Sequence, residues 1–117
     1  MLNWTPLLTQ AQFEGALADS INTPHLIFKH SSRCTLSAIA KLHLEDNWSS
    51  LIATVSPLLL DVIAHPQLAT TVAEACNAMH ESPQILLLYR QNCILDASHQ
   101  DIDLAEIDEC LDSPWNK

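Results

Sequence analysis

Three short, dense apolar runs constrain this chain more than anything else in it: TPHLIF at 23–28, LLLDVI at 58–63 and PQILLLY at 83–89. Each has the length of a strand and lacks the polar alternation of a half-exposed one, so each reads as a strand covered on both faces, as parallel strands are. Between them the period is helical. From Cys34, the segment CTLSAIAKLHLEDNW contains no Gly or Pro and places Leu36, Ile39, Ala40 and His43 on one face; the turn-rich SPLL leads into the second run; Pro66 then opens a helix in which Leu68, Val72, Cys76 and Met79 recur. Ahead of the first run, Thr9 and Gln12 make a capping-box pattern for a helix near 10–20 carrying Phe13, Ala16 and Leu17. After the third, RQN is a tight connection in which Asn92 takes the left-handed turn position, CILDAS is the returning strand, and residues 101–111, with Leu104, Ile107 and Leu111 in phase, close as a helix.

Strands alternating with helices imply a right-handed crossover and a parallel pair, and a terminal hairpin adds antiparallel strands to the same sheet. The expectation is an α/β fold with a four-stranded mixed sheet flanked by helices on both faces. With 117 residues, 48% of them apolar and 16% charged, the chain suits a single domain, 1–117, with a buried core. A net charge of −9 opposes nucleic-acid binding, which depends on cations displacing phosphate counterions. No apolar stretch approaches the roughly 18 residues needed to span a bilayer, and MLNWTPLLTQ lacks the basic start and apolar core of a secretory signal, so a cytoplasmic location without membrane contact is expected. The four cysteines include no CxxC pair and are read as thiols; the six histidines include no HxxxH or HExxH pair, so no metal is expected. Cys76 on a core stripe and Cys93 at a strand start read as packed, and Cys110 lies in an acidic helix that disfavours its thiolate.

Cys34 falls where the first strand hands over to the second helix, in FKHSSRCTLSA. A helix N-terminus carries unpaired N–H groups and about half a positive charge, so a thiol there ionises more readily. Three of the five basic residues, Lys29, Arg33 and Lys41, surround it, with His30 close by, while acidic residues concentrate between Asp96 and Asp112. Local positive charge favours a thiolate and attracts an anionic thiol; the alternative is a packed Cys34 among solvated cations. Lowering a thiol pKa from about 8.5 to about 6.5 speeds attack at pH 7 only about threefold, so the larger benefit is to the sulfur as a leaving group. Ser37 stands where a CxxC site has its second cysteine, so a mixed disulfide at Cys34 needs an outside thiol to resolve it.

Taken in order, FKHSSRCTLS, LLLDVI, HESPQILLL and ASHQDI resemble the bacilliredoxin-like family of the YtxJ type, small monothiol proteins with the thioredoxin fold. The resemblance covers about residues 24 to 103. It implies a thiol–disulfide oxidoreductase in which Cys34 is catalytic and takes up bacillithiol, or another low-molecular-weight thiol, from mixed disulfides on client proteins, with no tightly bound cofactor. It places Arg33, Thr35, Ser37, Ser82 and Pro83 at the substrate, Pro83 matching the cis-proline of the fold, with the Ser82 backbone facing an extended substrate. His80 and Glu81 are expected to orient that segment, to tune the site or to cap. Where the family site usually reads TCPIS, this chain has Arg33-Cys34-Thr35-Leu36-Ser37, with threonine for the proline that pre-sets the first helical turn. Two alternatives use the same residues: a non-catalytic interaction module that keeps the groove beside Pro83, and a redox sensor in which a small thiol on Cys34 changes a partner's affinity.

Overall fold

The structure is a computed structural model that describes residues 2–51 and 54–112. The elements are β1 (Thr5–Pro6), α1 (Gln10–Asp19), β2 (His25–His30), α2 (Thr35–Asn47), β3 (Ser56–Asp61), α3 (Pro66–Ala75), β4 (Gln84–Tyr89), β5 (Asn92–Ser98) and α4 (Leu104–Asp112), with 3₁₀ turns at Trp48–Ser50 and His99–Asp101. The strands form one mixed sheet in the order β1-β3-β2-β4-β5. β1, β3 and β2 run parallel, and β4 and β5 are antiparallel to their neighbours.

The sheet has five strands, one more than expected. Thr5 and Pro6 are exposed and carry no apolar signal, so β1 is visible only in its pairing with Leu58 and Leu59 and in the Leu7 N–H donated to the Leu59 carbonyl at 2.8 Å. The segment expected as a turn, SPLL, belongs to β3; its proline lies near the strand start, where a missing donor is tolerated. β3 ends at Asp61 because the carboxylate accepts from the N–H groups of Ile63 (2.9 Å) and Ala64 (3.2 Å), turning the chain there.

The long apolar runs have a simple cause: alternate residues face two separate cores. Ile27, Leu86 and Leu88 pack with Phe13 of α1 and Val72 of α3, while Leu26, Phe28, Ile85 and Leu87 pack with Leu44 of α2 and Ile107 of α4. α2 is rotated from expectation. Leu36 and Ile39 are 44% and 60% exposed, and the buried residues are Ser37 and Leu44. Polar contacts of Ser37, described below, set that rotation. α3 stops at Ala75 with Asn77 in the left-handed region (φ 54°), which leaves Met79 outside the helix and 81% exposed. α4 starts later than expected, at Leu104, where the Asp103 carboxylate accepts the Ala105 N–H at 3.0 Å.

In α1, Thr9 Oγ1 accepts from the Gln12 N–H, but the Gln12 side chain accepts from Leu8 and not from Thr9, so the capping box is half formed. At the hairpin, Arg90 (φ 54°) and Gln91 (φ 65°) occupy the left-handed positions, and Asn92 pairs with Tyr89 as the first residue of β5. A two-residue hairpin turn needs both central residues there. Neither is glycine. The turn is held from outside by Ser20, fully buried at the end of α1, whose carbonyl accepts the Arg90 N–H (2.7 Å) and whose hydroxyl accepts the Gln91 N–H (2.9 Å).

The cysteines were all read as thiols. The structure instead joins Cys76, at the C-cap of α3, to Cys93 in β5, with Cα atoms 5.3 Å apart. Their proximity is a product of tertiary packing, since α3 and β5 are separated in sequence by the whole of β4.

Candidate thiol site

β2 delivers the chain to the site at His30, and a tight turn reverses it into α2. The Ser31 hydroxyl accepts the Arg33 N–H (3.3 Å), and the Ser31 carbonyl accepts the Cys34 N–H (3.2 Å). Cys34 is then the N-cap of α2, extended at φ −116° and ψ 120°, and its carbonyl accepts the Ala38 N–H as the first helical bond. Its side chain makes no capping bond, and the residue is partly exposed. Arg33, Thr35 and Leu36 beside it are exposed.

Ser37 does not face outward with them. It is fully buried, its hydroxyl accepting the Ser31 N–H at 3.0 Å and lying 2.7 Å from His30 Nδ1. The hydroxyl thus ties the His30 ring and the Ser31 backbone to the first turn of α2. Burial, followed by the Lys41 charge, holds His30 below its ordinary pKa, against the opposing pull of Asp61 and Glu45. Its ring stacks on Phe28 with centroids 5.6 Å apart. The position a resolving cysteine would occupy is thus a hydroxyl locked beneath the turn that carries Cys34.

The second motif converges on the same end of the sheet. Gln84 pairs with Lys29 near the end of β2, which puts the preceding Ser82–Pro83 bond, a cis peptide, alongside the turn of residues 31–34. Lys29 links the two segments. It is fully buried, with Nζ 2.7 Å from His80 Nδ1 and donating to Gln84 Oε1 at 2.8 Å; Gln84 Nε2 in turn donates to the Met79 carbonyl at 2.9 Å. Burial pushes Lys29 down to about 8, only partly opposed by Glu81. His80 is lowered by burial and then by the Lys29 charge. The Pro83 carbonyl accepts the His99 N–H (3.0 Å), and Glu81 pairs with His99 at 3.3 Å. The Ser82 hydroxyl is buried and makes no hydrogen bond among the described residues.

The expected ring of cations around Cys34 is therefore not what the three residues form. Lys29 points to the opposite face of the sheet from His30, and Lys41 is bound to Glu45 at 2.7 Å, about two helical turns from Cys34. Arg33, next to Cys34 in the chain, is exposed. Sequence reasoning missed the Lys29–His80–Gln84 cluster and the His30–Ser37 bond. Strand alternation offered a signal for both, since it sends Lys29 and His30 to opposite faces, but their partners lie 51 and 7 residues away. Cys110 is as expected: burial, then Glu106 and Glu109, push its thiol up. Among the described residues no group of three His, Cys, Asp or Glu side chains is placed to hold a metal, and no helix is long and apolar enough to cross a membrane.

A helix N-cap cysteine after a central strand, a cis-proline before the next antiparallel strand, and helices on both faces make up a thioredoxin-like fold. The chain matches the family model described as "Monothiol bacilliredoxin BrxC" over residues 5–107, and it belongs to that family. Among solved structures it is similar to a protein with a thioredoxin fold, at a TM-score of 0.77 and 24% identity over 90% of each chain. It is also similar to the Malassezia sympodialis thioredoxin Mala s 13, at 0.70 and 14% over 93% of this chain and 88% of that one. A thioredoxin variant from Halobacterium salinarum aligns at 0.70 and 12%, over 96% and 89%. A search of curated proteins finds no match. Family and fold together assign a thiol redox function.

Proposed function

We propose that this protein is a monothiol thiol–disulfide oxidoreductase in which Cys34 removes a low-molecular-weight thiol, bacillithiol by family resemblance, from mixed disulfides on client proteins in the cytoplasm. The observation that carries the reading is the pairing of a partly exposed Cys34 at a helix N-cap with a buried, hydrogen-bonded hydroxyl at Ser37. The Cys34 thiolate attacks the small-thiol sulfur of the mixed disulfide; that S–S bond breaks, and the client cysteine leaves as a thiolate and takes a proton from water. A second small thiol then attacks the adduct sulfur, releasing the symmetrical small-molecule disulfide and the Cys34 thiolate. Each cycle consumes two electrons from small thiols, and no intramolecular thiol takes part.

Arg33 and Thr35, exposed on either side of the sulfur, are the side chains that meet the small-thiol moiety, and the Ser82–Pro83 segment is the surface for the client backbone. Ser37 is a positioning residue, because its hydroxyl faces inward and fixes the Cys34 turn. The test is adduct transfer followed by intact mass, with a bacillithiolated client, a glutathionylated client and Cys34→Ser. The wild-type chain should acquire the bacillithiol adduct, lose it to added thiol and turn over repeatedly. Adduct transfer by Cys34→Ser, or label resting on Cys110, would overturn the assignment. A single stoichiometric transfer would instead mark a sensor.

A further inference from the structure

The two remaining cysteines sit at the other end of the molecule. Cys93 pairs with Leu88 beside the hairpin, whereas the thiol site lies beyond Gln84, so the length of β4, about 17 Å, separates them. The disulfide has a sequence separation of 17 and closes around one particular stretch. Residues 77–92 contain the whole of His80-Glu81-Ser82-Pro83-Gln84 and β4, so the bond fixes both ends of the segment that borders Cys34. It also differs from Cys34 in its electrostatic setting. Cys34 caps the N-terminus of a helix; Cys76 caps the C-terminus of one, its N–H shared between the Val72 and Ala73 carbonyls at 3.1 Å. A helix C-terminus carries partial negative charge and does not support a thiolate.

Access differs only in degree: Cys76 is 9% exposed and Cys93 is partly exposed, and both line one cavity of about 150 Å³ together with Phe13, Leu17, Asn77 and Asn92. Attack on Cys93, the more exposed of the two, expels Cys76, which at a helix C-terminus leaves poorly as an anion.

We propose that Cys76 and Cys93 are a second thiol–disulfide couple, distinct from Cys34, that stays oxidised in the small-thiol pool that regenerates Cys34 and anchors the segment bearing Ser82 and Pro83. Its opening is a two-electron step with low-molecular-weight thiols as co-reactant. The first thiolate forms a mixed disulfide on Cys93 and breaks the Cys76–Cys93 bond, with Cys76 protonated by water. A second thiolate removes the adduct as the symmetrical disulfide and leaves the Cys93 thiol. The couple stands whether or not Cys34 serves bacillithiol.

The test uses the whole wild-type chain, carrying a glutathione adduct on Cys34, in buffers of stepped glutathione to glutathione-disulfide ratio, trapped by alkylation and read by intact mass and peptide mapping. The Cys34 adduct should clear at ratios that leave Cys76 and Cys93 joined, and only stronger reduction with dithiothreitol should label them, both together. Opening of the pair at or before clearance of Cys34, or persistent single labelling of Cys76 or Cys93, would overturn the proposal. Hydrogen exchange on the closed and opened forms reads the anchoring: residues 77–83 should exchange faster once the bond is open, and equal rates would refute that role. Repeating the titration with Cys34→Ser separates this couple from any failure of the transfer reaction.

Discussion

Raising the pH should stabilise this protein through Lys29, the reverse of what an ordinary salt-bridged lysine does. The ammonium lies fully buried against His80 and Gln84, and burial lowers it to about 8 from an ordinary 10.5. Below pH 8 the folded and unfolded chains both carry the proton, and the folded chain bears the cost of a desolvated charge. Between the two values the unfolded chain binds the proton and the folded chain does not, so stability rises with pH in that window. From pH 7 to pH 9.5 the gain works out at about 2 kcal/mol, an order-of-magnitude figure at 1.36 kcal/mol per pKa unit. The assay is urea unfolding of the wild type and of Lys29→Met, which keeps an unbranched stem and does not titrate. Contributions from the other cysteines, lysines and tyrosine are common to both chains and cancel. The wild-type free energy minus that of the variant should climb by about 2 kcal/mol over that range. A difference that stays flat, or shrinks, would mean that Lys29 is solvated or held by a carboxylate, and the buried cluster linking β2 to the Ser82–Pro83 segment would have to be abandoned.

Further outcomes follow from the same geometry. Ser37→Ala removes the acceptor of the Ser31 N–H and the hydroxyl bonded to His30 Nδ1, and should lower stability by about 1–3 kcal/mol in urea unfolding while slowing adduct uptake at Cys34. His30 and His80, both held down by burial, should titrate with midpoints below 6.5 by two-dimensional NMR; because their folded values lie below the unfolded one, their contribution to stability is intact above 6.5 and declines as the pH falls below it. Opening the Cys76–Cys93 bond, which closes a 17-residue separation, should reduce unfolding free energy by about 3 kcal/mol in parallel urea titrations with and without dithiothreitol. Glu45→Gln, which removes a partly exposed pair with Lys41, should change stability by less than about 1 kcal/mol.

The order of strands and helices was legible because the apolar runs around Ile27, Leu60 and Leu86 are dense enough to need cover on both sides. Cys34 was legible because a strand end, a helix start and a serine at 37 coincide in a few residues. What was missed depends on contacts between distant segments. The rotation of α2 could not be read from Leu36 and Ile39, whose apolar side chains face outward because Ser37 is drawn in by His30 and Ser31. β1 exists only through its pairing with β3. Lys29 read as one of the cations near Cys34, whereas Gln84 and His80 bury it, and nothing in the spacing of Cys76 and Cys93 marked them as partners. The left-handed hairpin positions went to Arg90 and Gln91 instead of Asn92 because the length of the connection, and not residue preference, decides which positions turn.

That hairpin has a consequence for how the chain reaches its native state. The sequence contains one glycine, Gly15, inside α1 and outside the hairpin, so the left-handed conformations at Arg90 and Gln91 have no glycine behind them. They are stabilised by two hydrogen bonds that Arg90 and Gln91 donate to Ser20, some 70 positions earlier. A peptide spanning the hairpin alone lacks both acceptors, so β4 and β5 are expected to pair less readily in isolation than after the first helix has docked.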